Sequence, residues 1–199
     1  IVNKRPEIAF LDGYKPSVLC SGRKTFREYK TELLKYPHLF YYNKFGTQFC
    51  MVFQTEEQKD EYQNKMKGVE ENSYDHHYIL GITLGFPERS VLMYARFREY
   101  ENYTKKPHDT ENLLKIGVNW AGFQFGSFVH WLDEDIKWLW NTYEHPKSID
   151  CKVKIWGPDI YPFIEIDFGD IQKLYQVKQE ILKKRNLITT SVQEFVFDT

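Results

Sequence analysis

Residues 113–199 read as strand, helix, strand, strand, helix, strand, and residues 7–68 read as the first five of those elements in the same order. This repeated order narrows the fold to the α+β class, with antiparallel sheet in two related lobes and a cleft between them where a ligand or partner can sit. The chain then divides into an N-terminal lobe (1–72), a helical hairpin (73–102), a polar linker (103–112) and a C-terminal lobe (113–199), which together can close into one compact domain.

The first half is punctuated clearly. Glu7–Leu11 is a short apolar run ended by Asp12-Gly13 and reads as a strand and turn. Ser21 is placed to open a helix over 23–36, where Phe26, Tyr29, Leu33 and Tyr36 recur at helical spacing before Pro37. Residues 40–42 and 47–53 flank Asn43-Lys44-Phe45-Gly46, a hairpin signal. Thr55 with Gln58 forms a capping-box opening for a helix running to Gly68. Residues 74–84 and the stretch after Pro87 make the helical pair, with Gly85 suited to a left-handed cap and Val91, Leu92, Tyr94 and Ala95 facing inward.

In the second half, Leu114–Phe125 is apolar but broken by Gly117 and Gly122, which predicts a bent or bulged strand. Phe128–Tyr143 carries the strongest helical period in the chain: Phe128, Leu132, Ile136, Leu139, Trp140 and Tyr143. Strands follow at 151–156 and 163–168. Asp170 then opens a helix to Asn186, and 191–197 alternates as a last strand. This strand–helix–strand–strand–helix–strand order resembles the ferredoxin-like topology, which implies an antiparallel sheet with both helices on one face. The tandem units are similar in order to the small-molecule-binding modules of GyrI-like regulators, which implies a ligand cleft.

Composition excludes some partners. The 27 basic and 28 acidic residues leave a net charge of −1, so no global field draws the chain to nucleic acid or an anionic membrane. No apolar run approaches the roughly 18 residues of a spanning helix. Three widely spaced cysteines, Cys20, Cys50 and Cys151, form neither a disulfide framework nor a metal knuckle, and predict reduced thiols in a cytoplasmic compartment. The chain opens at Ile1 rather than Met, as a chain cleaved from a longer precursor would. Lys-rich, Ala-poor usage matches AT-rich coding of the kind common in low-GC bacteria and their phages.

No catalytic or metal signature emerges, and no cofactor is expected. In Asp75-His76-His77 the neighbouring imidazoles diverge by about a quarter turn of helix, so Asp75 reads as a cap. His130 and Glu134 have i,i+4 spacing but lack a third ligand. Pro158-Asp159 with Glu165 and Asp167 comes close to the PD-(D/E)xK nuclease pattern, but Asp167 stands where the Lys belongs. A solvated sheet edge accounts for those carboxylates equally well.

Aromatic residues, 17% of the chain, carry the remaining signal. Trp131 and Trp138 lie seven apart, on a different side of their helix from the Leu132/Ile136/Leu139/Tyr143 stripe. The candidate ligand- or partner-binding residues are therefore Trp120, Phe123, Phe125, Trp131, Trp138, Trp156, Glu165 and Asp167. The expected function is a non-enzymatic binding protein acting on another protein through aromatic surface, with self-association possible and a phage or mobile-element accessory role in keeping with the coding bias. The alternatives are a small-molecule-binding module with a cleft between lobes, and a metal-dependent hydrolase built on Asp159, Glu165, Asp167 and His130.

Overall fold

A computed structural model describes residues 4–21, 24–43 and 45–188. The fold is α+β, with two antiparallel sheets. Its first element departs from expectation: Glu7–Leu11 lies not in a strand but in helix α1 (Pro6–Leu11), which places Pro6 in the first turn and buries Ala9 and Phe10. A short apolar run does not distinguish strand from buried helix, and Pro at the first helical position tips this one.

The first sheet contains β1 (Ser17–Ser21), β2 (His38–Tyr42) and β3 (Gln48–Phe53) in the order β1-β3-β2. Period-two alternation gives it two apolar faces. Val18, Cys20, Cys50 and Val52 pack with Phe10 of α1 and with Phe26 and Leu33 of α2 (Lys24–Leu33). Met51 and Phe53 face the other way, onto Tyr62 of α3 (Glu56–Met66) and Leu80 of α4 (Tyr74–Thr83). A sheet covered on both faces explains why Phe49–Phe53 is a continuous apolar run.

The helix openings follow local chemistry. Thr55 Oγ1 accepts the Gln58 N–H at 3.3 Å, as a capping box requires. The Gln58 side chain returns to the N–H of Gln54, one residue earlier than the usual box. Ser73, rather than Asp75, caps α4 by accepting the His76 N–H.

Cys20 and Cys50 face each other across the β1–β3 ladder. All three cysteines are free and buried. Burial pushes the Cys50 thiol up to about 11 and raises those of Cys20 and Cys151. We expect the folded protein to react slowly with an aromatic disulfide reagent and to titrate as three thiols once denatured under non-reducing conditions. A titre of a single thiol would instead reveal a Cys20–Cys50 disulfide.

The second half begins with α5 (Glu88–Thr104) and the short α6 (Glu111–Leu114), so the two ends of the expected linker 103–112 are helical and 105–110 connect them. Buried Glu111 receives Arg98 from α5 and Lys115 from the following strand. The expected bent strand 114–125 is a hairpin, β4 (Lys115–Trp120) and β5 (Phe123–Phe128). Its two-residue turn, Ala121-Gly122, has φ of 48° and 90°, the pair of positive angles that matches strand twist. After a 3-10 turn (Val129–Trp131) come α7 (Leu132–Thr142), β6 (Val153–Gly157), β7 (Ile160–Ile166) and α8 (Ile171–Lys184).

This sheet runs β5-β4-β6-β7, antiparallel throughout. Its core gathers Ile116, Val118, Val153 and Ile155 with Leu132, Ile136 and Leu139 of α7 and Leu174 and Ile181 of α8. The described order is strand–strand–helix–strand–strand–helix, so the ferredoxin-like alternation does not hold, because the glycine-punctuated segment folds back on itself at Ala121-Gly122. The expected strand 191–197 lies outside the described residues. Nor do the lobes share one pairing scheme. β1 lies beside β3, the second strand of its hairpin, whereas β4 lies beside β6, the first strand of its own.

Candidate functional site: a cleft between the two sheets

The corner between α4 and α5 is where the halves meet. Helix ends leave carbonyls without intrahelical partners, and three consecutive ones here take side-chain donors. Ser17 Oγ donates to the Thr83 carbonyl at 2.6 Å, Lys15 Nζ to Leu84 at 2.9 Å, and Tyr143 Oη to Gly85 at 3.0 Å. The first two donors come from the β1 side and the third from the end of α7, so the corner ties both sheets together. Gly85 has φ of +80°, and a Cβ there would press on Tyr143 and Pro16.

Beside this corner opens a cleft of ≈ 1770 Å³. The first sheet contributes Leu19, Leu39, Tyr41 and Phe49, and α3 adds Tyr62 and Met66. Helices α4 and α5 supply His76, His77, Leu80, Val91 and Tyr94, and the second sheet supplies Lys115, Phe125 and Trp156. Burial favours the neutral form of both histidines in this wall. Burial, then His76 and Arg98, push His77 down to about 4, and burial lowers His76. His77 meets the Tyr94 ring edge-on at 5.6 Å.

Lys15 is the unusual residue of the cleft. It is 2% exposed, and its ammonium lies 3.8 Å from the Phe123 ring centroid and 5.1 Å from that of Phe86. Burial pushes it down to about 7. Sequence reading passes over this residue because a single Lys between Tyr14 and Pro16 looks like an ordinary loop cation.

The structure divides the sequence-derived candidates. Phe125 and Trp156 line the cleft, Phe125 stacked on Phe86 at 5.4 Å. Trp156 lies over Gly117, its cross-strand partner, where any Cβ would clash with the indole. Trp120 and Phe123 are wholly buried core residues and offer no surface to a partner, because β4 and β5 turn them beneath α7 and α8. Trp131 is partly buried against the same core, while Trp138 is 41% exposed, so the two tryptophans do not share one environment.

The carboxylates do not converge. Glu165 pairs with Lys154 at 3.3 Å, Asp167 with Lys152 at 3.1 Å, and Asp159 with Arg185. These pairs neutralise them along the sheet and at its end. Among the described residues no three His, Cys, Asp or Glu side chains are grouped to hold a metal.

A second polar cluster has no sequence signature. Asp135, 3% exposed, accepts hydrogen bonds from Ser127 of β5 at 2.6 Å and from Ser90 of α5. Burial pushes its carboxyl up to about 6, with the two serine hydroxyls pulling the other way. It joins three elements, and its donor Ser90 also lines the cleft.

Among the described residues no helix is long and apolar enough to cross a membrane. No protein-family model, curated protein or solved structure matches the chain.

Proposed function

We propose that this is a binding protein whose inter-sheet cleft receives an elongated, largely apolar ligand. The observation that carries the reading is the cleft itself. It draws aromatic and aliphatic walls from both sheets and from α3, α4 and α5, and at ≈ 1770 Å³ it exceeds the roughly 300–1,000 Å³ of sites for compact small molecules. Neutral histidines and tyrosines spaced among the apolar residues supply the few polar groups such sites use for orientation.

The test uses N-phenylnaphthylamine, a neutral dye that fluoresces in apolar surroundings. Wild-type protein should bind it saturably. Leu39→Lys, on a partly exposed strand at the cleft's edge, should weaken binding at least about tenfold in protein that still unfolds cooperatively. Binding unaffected by Leu39→Lys, or no binding by wild type, would overturn the reading.

A second reading, recognition of another protein, rests on the outer surface of α7 and α8. Trp138 and Tyr175 are 41% and 44% exposed there, and Lys137 donates to the Tyr175 hydroxyl at 2.8 Å. Exposed aromatics beside a cation suit an interface anchor.

A further inference from the structure

We propose that the cleft's ligand is a long-chain anion and that Lys15 receives its charged head group. The inference rests on the reading of the cleft as a ligand site and goes beyond it by naming the chemistry of the ligand.

Lysine is almost never fully buried unless it is paired, yet among the described residues Lys15 forms no ion pair. Its partners are one carbonyl, at Leu84, and the faces of Phe86 and Phe123. The carbonyl ends helix α4, so the helix dipole steadies the ammonium from one side without cancelling its charge. The remaining charge of the cleft is balanced, which leaves Lys15 as the charge without a counter-ion among the described residues. Lys67 and Lys115 line it with a single carboxylate, Glu71, and Glu111 already engages Lys115 from behind the wall. A cleft with apolar walls and a buried, uncompensated cation beside Phe86 complements an alkyl chain ending in a carboxylate, sulfonate or phosphate. Without ligand, the cost of the buried charge is relieved by proton loss. An arriving anion restores the proton and is held by it.

Lys15 as a helix cap alone predicts a stability role with no preference for charge, so the experiment must measure charge preference. Calorimetric titration would compare monomeric decanesulfonate, anionic at every pH used, with decanol. Wild type should bind the sulfonate at least about tenfold more tightly near pH 6. That affinity should fall roughly tenfold per pH unit above about 7, where Lys15 loses its proton, while decanol binding stays flat. Lys15→Met should lose the preference for the sulfonate over decanol and the pH dependence with it. The pH profile of wild type decides the matter even if Lys15→Met fails to fold.

Equal binding of the two probes by wild type, or a sulfonate affinity flat with pH, overturns the role of Lys15 and leaves the cleft reading standing. Failure of wild type to bind either probe overturns both.

Discussion

Replacing Trp120 with alanine is expected to remove about 3–5 kcal/mol of stability, the range for truncating a buried aromatic. The indole is wholly buried, stacked between Phe123 at 6.4 Å and Phe168 at 6.0 Å. Its Nε1 donates to the Cys151 carbonyl at 3.1 Å, and losing that donor adds about 1 kcal/mol for an unpartnered buried acceptor. Total stability of a domain this size is about 5–15 kcal/mol, so the variant should be partly unfolded at modest urea. Trp138→Ala, at a half-exposed site edge-on to Tyr143, should lose no more than about 1 kcal/mol. Urea midpoints of the two variants measure the contrast. Similar losses would mean that burial is wrongly assigned to one of them.

Asp135 should make stability depend on pH in an unusual direction for a carboxylate. Its folded-state pKa, about 6, lies above its ordinary 3.8, so the folded chain holds the proton more tightly than the unfolded chain does. The stabilising protonation is complete below the ordinary value and is lost as pH rises through about 6. The shift corresponds to about 2–3 kcal/mol. The ion-paired Asp12, Asp133 and Asp159 are held below their usual range by neighbouring cations, so they weaken the fold only at more acidic pH. Denaturation of wild type and Asp135→Asn at about pH 5 and about pH 8 isolates the effect. Wild type should gain stability relative to the variant on going to the lower pH, and an unchanged difference would show that Asp135 does not titrate in this window.

The corrections to the sequence reading have a common physical source. Helix openings are local chemistry, so Thr55 and Asp170 cap α3 and α8 as their spacing implies. Strong helical stripes are also local, and α7 buries Leu132, Ile136, Leu139 and Trp140 as the period predicts. The turn at Ala121-Gly122 is different. Alanine at positive φ carries no local preference, and the hairpin closes there because β4 and β5 pair along six residues. That fold-back converts an expected single strand into two and changes the topology of the whole second sheet.

The candidate site was still less visible. Composition and periodicity marked the chain as α+β and aromatic-rich, and they singled out Phe125 and Trp156 among the cleft's walls. They equally marked Trp120 and Phe123, since an aromatic residue looks the same in a sequence whether its strand turns it toward solvent or core. Lys15 and Asp135 carry no pattern at all. Their character comes from what packs against them: two phenylalanines and a helix-end carbonyl for one, two serines from separate elements for the other. Local sequence chemistry decided where helices begin and which stripes are apolar, because those depend on neighbours within a few residues. Strand pairing, the cleft between sheets and the ionisation of its buried groups depend on residues tens of positions apart, and only their assembly in three dimensions settled them.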